Sequence, residues 1–358
     1  MSSRKQTSSS RRPVSRRQLS RRQREKRLQH LVWALGAFFL VLIVAIPGYA
    51  SYAEYYRPPR QLVVRVNDTT YNMGYYVKML RLFQILSTAQ GQEFNLGLVP
   101  FELVQLLEDN ELIRQGAPRL DISVTAEDVS QEIRMRILGP PDPEEEEDPA
   151  KLDKEFQQGY RQLLEIVRFS DKEYRRIVEI DLLREKLREQ LGLQVPTVAE
   201  QVHLQGIFFS SETEKNPEEQ AKEIANRVAA GEEFSALSRE LSEDDTLKEN
   251  DGDMGWLPRG IVGEKFDEVV FNLEPGKVSE LIATSEGYYV LRLLEKATAR
   301  EIEEGAREAL KDQALAKWLS EERGRNEVVR SFDSKKYEWA VQQLPPSSSQ
   351  SSESSEGI

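Results

Sequence analysis

The sequence contains no cysteine and only two histidines among its 358 residues. Disulfides, thiolate metal sites and cysteine nucleophiles are therefore excluded. We find no glycine-rich nucleotide loop, no metal-binding constellation and no serine, histidine and aspartate arrangement that would support a hydrolase. The sequence therefore predicts a protein without a metal or other cofactor, which does not act on a small-molecule substrate.

Charge is distributed unevenly along the chain, whose net charge is -12. Residues 1–30 contain 11 Lys and Arg and a single acidic residue, Glu25, whereas the remainder carries a net charge of -22. Such asymmetry indicates different surroundings for the two parts. A basic tail could bind nucleic acid. Beside an apolar segment we instead favour contact with anionic lipid and a role in orientation, with no nucleic-acid partner.

An uncharged, mostly apolar segment spans residues 31–53. A helix needs about 20 apolar residues to cross the hydrocarbon core of a bilayer, so one transmembrane helix is predicted. Because the basic residues precede it, the N-terminus is expected in the cytoplasm and the main domains outside, in a single-pass protein of the cell membrane. The alternative is a cleaved signal peptide, with the small residues Ser51 and Ala53 before the cleavage site.

Helical periodicity dominates residues 60–195, after a short strand predicted at residues 62–66. Ser170 and Glu173 fit a capping box at the start of one of these helices. The acidic run at residues 144–148 follows several prolines and predicts a solvated loop. A cation site is the alternative, although the run lacks the spacing of a calcium-binding loop.

Composition and periodicity divide the chain into six segments. They are predicted as a basic cytoplasmic tail (1–30), a transmembrane helix (31–53), a helical domain (60–195), a second domain (200–298), a C-terminal helix packing on the helical domain (299–340) and a disordered serine-rich tail (345–358). The C-terminal helix is expected to run to about residue 330.

The most informative motif is Gly-Asp-Met-Gly-Trp at residues 252–256. Phe266 follows ten residues after it, and Pro-Gly-Lys-Val-Ser lies at residues 275–279. The order strand, two helices, glycine motif, helix, Pro-Gly turn and strand over residues 200–298 resembles one family. It is that of the parvulin-type (PpiC or rotamase) peptidyl-prolyl cis-trans isomerases.

Residues 60–195, with the helix that returns after residue 299, resemble the helical chaperone region of SurA- and PrsA-type extracytoplasmic foldases. This resemblance rests on the Val66-Asn67 start, the helical hairpins and their order. Together the two resemblances imply an α+β fold. A small antiparallel sheet with surrounding helices would be inserted in, or would follow, a helical chaperone domain.

Prolyl isomerisation breaks no bond, but rotation about the peptide bond crosses a barrier of about 18–20 kcal/mol. An enzyme can lower this barrier by binding the proline ring in an apolar pocket and favouring the twisted amide. The resemblance implies that Phe266 stacks on the proline ring and that Val262 supplies apolar surface beside it. Trp256 and Phe271 are further candidates for substrate binding, with core packing as the alternative role.

The polar half of the site differs from the family pattern. Gly206 and Tyr289 occupy the positions of the two family histidines, whereas Asp244 and Thr284 match retained positions. The resemblance implies Asp244, Tyr289 and Thr284 as the catalytic side chains, with reduced activity because the histidine pair is replaced. His203 lies three residues from position 206, so on a regular strand it faces the opposite side of the sheet.

These observations predict a membrane-anchored, extracytoplasmic peptidyl-prolyl cis-trans isomerase, or foldase, that assists the folding of exported proteins. Its partners would be unfolded or extended polypeptides containing Xaa-Pro bonds, together with the lipid bilayer. One alternative is a non-catalytic chaperone that keeps the peptide groove and has lost isomerase activity. Another is a scaffold of a membrane complex that acts through the C-terminal helix, residues 300–330.

Overall fold

The computed structural model describes Trp33, Ala45 and residues 52–140, 148–211, 216–284 and 287–345. Over these residues, no helix is both long and apolar enough to cross a membrane. Several predicted features lie outside the described residues: the basic tail, nearly all of the membrane-spanning segment, most of the acidic run at 144–148 and the serine-rich tail.

The described residues form an α+β fold with antiparallel sheets, as predicted. The helices are α1 (Met73–Ala89), α2 (Val99–Gly116), α3 (Ala126–Leu138), α4 (Pro149–Val167), α5 (Asp171–Gly192), α6 (Pro217–Ala229), α7 (Phe234–Leu241), α8 (Asp245–Glu249), α9 (Glu264–Val270), α10 (Glu304–Arg325) and α11 (Ser334–Gln342). The strands are β1 (Leu62–Val66), β2 (Thr69–Asn72), β3 (Val198–Ser210), β4 (Asp253–Pro258), β5 (Ile282–Ala283), β6 (Gly287–Glu301) and β7 (Val328–Arg330).

The chain divides into two compact units. Among the described residues, the first contains those up to 64, those at 70–103 and those from 330 onward, and the second contains those at 65–69 and 104–329. The boundaries at which the chain leaves one unit and enters the other therefore fall inside β1, β2, α2 and β7. The strands among these form a sheet in the order β2-β1-β7.

The first unit is organised around the buried side of α1. Tyr76 is fully buried, and its hydroxyl donates a hydrogen bond of 2.6 Å to the carbonyl of Pro100. The Tyr76 ring also contacts Phe332, with 5.0 Å between ring centroids. Because a buried hydroxyl needs a partner, the bond to Pro100 ties the first turn of α2 to α1.

In the second unit, α5 begins with the predicted capping box. The Ser170 hydroxyl accepts a hydrogen bond of 3.3 Å from the Glu173 amide, and the Glu173 carboxylate accepts one of 2.8 Å from the Ser170 amide. Both amides would otherwise lack a partner at the helix N-terminus.

Helix α10 packs along the C-terminal half of α5 through charged side chains. Arg188 pairs with Asp312 at 2.6 Å, and Lys311 pairs with Glu189 at 3.0 Å. The helices approach closely at Gly192, where a Cβ atom would lie 2.7 Å from Lys311 Cγ. Arg188 also pairs with Glu308 at 2.8 Å, so three ion pairs and one close approach define where α10 lies on α5.

The larger sheet of the second unit has the order β4-β3-β6-β5, with antiparallel pairing throughout. Successive side chains of a strand point to opposite faces, so this sheet has two cores. One core, towards α9, contains Val202, Leu204, Phe266, Val270, Phe271, Ile282, Leu291 and Leu293. The other, towards α6 and α7, contains Ile207, Phe209, Ile224, Phe234, Leu237 and Val290.

The C-terminal helix is shorter than predicted. Helix α10 ends at Arg325, and Val328–Arg330 forms β7 in place of further helix. The Asn326 side chain donates a hydrogen bond of 2.7 Å to the Glu322 carbonyl and so caps one of the last free acceptors of the helix. The valines that follow favour extended backbone, which explains the switch to a strand.

The capping box of α5 gives a stability prediction. The Ser170→Ala variant should lower the free energy of unfolding by about 1 kcal/mol, because the Glu173 amide loses its acceptor. Urea unfolding of the full chain measures the change. The matched control is Ser320→Ala, at an exposed position inside α10, which should change the free energy by less than about 0.5 kcal/mol. Equal losses in the two variants would contradict the capping role.

Candidate functional site

Three aromatic rings share one face of the larger sheet. Phe208 on β3 lies directly opposite Tyr289 on β6, and their ring centroids are 4.9 Å apart. Phe266 on α9 meets the Tyr289 ring edge to face, at 6.4 Å and 82°. Directly opposed residues of an antiparallel pair project to the same face. We refer to Phe208, Phe266 and Tyr289 as the aromatic surface.

Phe266 forms the floor of the aromatic surface. It is 3% exposed, and it packs in the core that faces α9. Phe271 is similarly buried in that core, and the Arg259 guanidinium lies 4.0 Å from its ring. Of these two predicted substrate-binding residues, Phe266 contacts the Tyr289 ring of the aromatic surface.

Val262 is an exposed apolar residue four positions before Phe266 in the chain. Its side chain is 42% exposed, in the loop between β4 and α9. Gly260 and Gly263 flank it with φ angles of 96° and 122°, conformations that other residues rarely adopt. The Asp267 carboxylate accepts a hydrogen bond of 2.7 Å from the Gly260 amide and ties the loop to α9.

At the position of the first family histidine, Met254 occupies the space beside Gly206. A Cβ atom at position 206 would lie 2.7 Å from Met254 Sδ and 3.3 Å from Leu291 Cδ2. Met254 also packs against the core that faces α9. A flexible thioether fills such irregular gaps well. The structure therefore places an apolar group where the family pattern has a histidine.

The two glycines of the 252–256 motif shape this arrangement. Gly252 has a φ of 80°, and a Cβ atom there would lie 2.9 Å from Ser238 Oγ and 3.0 Å from the Gly206 carbonyl oxygen. Gly255 has a φ of 68°, next to a bulge that leaves Met254 unpaired between β3 and β4. A bulge re-aims the extra side chain, here towards Gly206.

Asp244 is the N-cap of α8. Its carboxylate accepts a hydrogen bond of 3.0 Å from the Leu247 amide. The residues before it join β3: the Glu243 amide donates to the Phe208 carbonyl at 2.8 Å, and the Phe208 amide donates to Ser242 Oγ at 3.2 Å. The structure thus brings Asp244 to the end of the sheet that carries the aromatic surface.

Thr284 closes the turn between β5 and β6. Its hydroxyl donates a hydrogen bond of 3.0 Å to the Gly287 carbonyl, and the Thr284 amide donates one of 2.8 Å to the same oxygen. Ile282, two residues earlier, lies opposite Tyr289 in the β5–β6 pair. Thr284 and Tyr289 therefore lie at the same end of the sheet.

Trp256 lies on the other face of the sheet. It is opposite His203, and their rings stack at 5.4 Å. The His203 ring is also 2.7 Å from an Asp253 carboxylate oxygen, and the Arg300 guanidinium lies 4.4 Å from the Trp256 ring. The structure does not bring Trp256 to Phe266, and it places His203 away from the aromatic surface, as strand periodicity indicates.

Sequence reasoning did not single out Ser238 or the role of Met254. Ser238 is fully buried, and its hydroxyl donates a hydrogen bond of 3.0 Å to the Gly206 carbonyl. Its burial could have been predicted from the sequence, because Ser238 lies one helical turn after Phe234 and so on the same apolar side of α7. Within the described ranges, no group of three or more acidic, histidine or cysteine side chains is arranged to hold a metal ion.

Comparison with known proteins identifies the class of this domain. Residues 201–295 match the rotamase family described as the PPIC-type PPIASE domain. The aromatic surface, Val262, Asp244 and Thr284 all lie within this match. The chain therefore contains a parvulin-type peptidyl-prolyl isomerase domain, as predicted.

The curated proteins that parts of this chain match include foldases and a chaperone. Foldase protein PrsA of Geobacillus kaustophilus is 29% identical over 136 residues, which cover 37% of this chain and 48% of the relative. Foldase protein PrsA 2 of Bacillus cereus is 23% identical over 240 residues, or 67% of this chain and 81% of the relative. Chaperone SurA of Albidiferax ferrireducens is 32% identical over 122 residues, or 32% of this chain and 26% of the relative.

The chain is thus homologous to the PrsA and SurA foldases, although it spans only about half the length of the first of these relatives. A crystal structure of the peptidylprolyl isomerase PrsA from Bacillus anthracis aligns with 66% of this chain and 92% of that chain. That alignment has 15% sequence identity and a TM-score of 0.40.

Two substitutions at Asp244 test its capping role separately from its charge. Asp244→Ala should lower the free energy of unfolding by about 1 kcal/mol, because the Leu247 amide loses its acceptor. Asp244→Asn should be nearly neutral, because asparagine caps about as well as aspartate. Urea unfolding of both variants tests this, and similar losses in the two would contradict the capping role.

Burial raises the pKa of the Asp267 carboxyl, against the opposing effect of the Gly260 amide. A group whose pKa is higher in the folded state stabilises the fold below its unfolded pKa and loses that contribution as the pH rises through the folded pKa. As the pH rises from about 3 to about 7, the wild type should lose this contribution, whereas Asp267→Asn has no carboxyl group to titrate. The free energy of unfolding of Asp267→Asn should therefore increase relative to that of the wild type over this range.

Urea unfolding at the two pH values tests the prediction for Asp267. Asp245→Asn, at an exposed position, provides the baseline for removing a carboxylate from this domain. A difference between Asp267→Asn and wild type that does not grow with pH would contradict the assignment.

Proposed function

We propose that this protein is a membrane-anchored, extracytoplasmic peptidyl-prolyl cis-trans isomerase that assists the folding of exported proteins. The observation that carries the proposal is the aromatic surface within a PPIC-type domain that also exposes Val262. An apolar surface with few polar groups suits a proline ring. The homology to PrsA and SurA foldases supports unfolded polypeptides as the clients.

Catalysis would come from interactions that strengthen as the amide twists. Val262 and Phe266 hold the proline ring, while the chain before it remains free to rotate. A twisted amide loses resonance, and its nitrogen regains a lone pair that accepts a hydrogen bond. We assign the Tyr289 hydroxyl to donate to that nitrogen, an interaction that the planar amide cannot make.

Asp244 and Thr284 have positioning roles in this proposal. The Asp244 carboxylate caps α8, directly after the segment that bonds Phe208, and the Thr284 hydroxyl closes the turn before β6. Each therefore fixes backbone on one side of Tyr289. A preorganised site needs such support, because small displacements of a catalytic group weaken its interaction with the transition state.

The N-terminal sequence supports the proposed cellular location. Residues 31–53 would span the membrane, with the basic residues 1–30 on the cytoplasmic side and in contact with anionic lipid. The isomerase domain would then act outside the membrane on chains that have just been exported.

A second candidate function is a chaperone that binds chains without isomerising them. Met254 fills the space beside Gly206, so the histidine pair of the family has no counterpart there. In the first unit, Leu98 and Phe101 are 52% and 55% exposed and offer apolar surface to an unfolded chain. Both functions use the same clients and differ in whether Tyr289 accelerates rotation.

Isomerisation of a short Xaa-Pro peptide by the full chain in detergent micelles, followed by NMR exchange spectroscopy, tests the proposal. Tyr289→Phe should slow the catalysed exchange about tenfold, the effect of losing about 1.4 kcal/mol of transition-state stabilisation. The matched control is Tyr288→Phe, because the neighbouring tyrosine packs on the opposite face of the sheet. The control should retain the wild-type rate.

The outcomes separate the two functions. Equal rates in the two variants would contradict the role of Tyr289. A wild-type chain that shifts on peptide addition but does not accelerate exchange would favour the non-catalytic chaperone. A chain that neither binds nor isomerises the peptide would contradict both functions.

A further inference from the structure

The loop that carries Val262 is contacted by α10, which lies outside residues 201–295. The Gln313 side-chain amide donates a hydrogen bond to the Ile261 carbonyl, one residue before Val262. At the preceding residue, a Cβ atom on Gly260 would lie 3.5 Å from Leu310 Cδ2, which is ordinary van der Waals distance. One turn of α10 therefore covers two consecutive residues of the loop.

The same loop is held from its other side by the isomerase domain. The Asp267 carboxylate on α9 accepts the Gly260 amide at 2.7 Å, and the Ile261 amide donates a hydrogen bond of 3.4 Å to the Pro258 carbonyl. The Gly260 amide thus bonds to α9, whereas the Ile261 carbonyl bonds to α10. The position of Val262 depends on both attachments.

Helix α10 is itself fixed on the side away from this loop. Lys311 and Asp312 pair with Glu189 and Arg188 of α5. With 3.6 residues per turn, Leu310 and Gln313 lie on one side of α10, and Lys311 and Asp312 lie on the other. The helix therefore connects α5 to the Val262 loop as a rigid element.

We propose that Gln313 is a positioning residue of the isomerase site, which makes α10 a functional part of that site. The proposal rests on the proposed function, because it assumes that Val262 contacts the proline ring. Gln313 holds the Ile261 carbonyl and thereby sets the position of the adjacent Val262 side chain. The isomerase domain separated from α10 would keep its fold and lose this constraint on the loop.

Two substitutions at position 313 of the full chain separate the hydrogen bond from the size of the side chain. Gln313→Glu keeps the size but presents a carboxylate, which cannot donate to the Ile261 carbonyl. Gln313→Lys restores a donor and should act as the rescue. Lys317→Ala, at an exposed position on α10, is the control for a substitution in the same helix.

Hydrogen–deuterium exchange of residues 259–263 measures the order of the loop without requiring activity. Gln313→Glu should raise the exchange rate about two- to tenfold, as expected for the loss of one hydrogen bond. With a proline peptide as substrate, Gln313→Glu should raise KM by a similar factor, while Gln313→Lys and Lys317→Ala remain close to wild type.

Each outcome bears on the proposal. Unchanged loop exchange in Gln313→Glu would overturn it, as would faster exchange with unchanged KM and kcat. An inactive wild-type chain would contradict the proposed function. In that case affinity for the same peptide replaces KM: weaker binding by Gln313→Glu supports the positioning role, and equal binding overturns it.

Discussion

Strands β3 and β6 lie far apart in sequence and pair along the whole of β3, from Val198 opposite Glu301 to Ser210 opposite Gly287. A shift of one position in this register would turn Phe208 or Tyr289 to the other face of the sheet and dismantle the aromatic surface. The ladder continues towards α10, because the Ile302 amide donates to the Thr197 carbonyl at 2.8 Å. The site at one end of the ladder and the helix at the other end therefore depend on the same register.

Ion pairs between buried and partly exposed groups specify where α10 docks. Arg323 binds Glu108 and, at 2.8 Å, Asp109, while Glu322 binds Arg119. Glu108 and Glu322 are almost fully buried, and a buried carboxylate without a partner would be strongly destabilising. Because each buried acid needs its arginine, α10 has few alternative positions along α2. We infer that this constraint also keeps Gln313 opposite the Val262 loop.

The apolar and polar halves of the candidate site differ in how the structure holds their side chains. The apolar half, with Phe266 as its floor, is part of a packed core, so replacing Phe266 by alanine would cost stability as well as any contact with substrate. The polar half is reduced to groups at the ends of strands and helices. The packing of Met254 depends on Gly206, because the absence of a side chain at position 206 leaves the space that the thioether fills. A histidine at position 206 would require Met254 to move.

The sequence by itself determined the features that arise between near neighbours in the chain. The main helices, strands β1, β3 and β6, the capping box at Ser170 and the glycine motif at 252–256 were predictable, since periodicity, caps and positive φ angles are local properties. The short strands β2, β4 and β7 were not predicted. Phe266 and Val262 were named as candidates from the resemblance to the parvulin-type family. Only the tertiary structure decided that Trp256 faces away from Phe266, that Met254 fills the space at Gly206, and that Gln313 reaches the Val262 loop. These outcomes depend on strand register, a bulge and helix docking, which are set by packing and hydrogen bonds between residues distant in sequence.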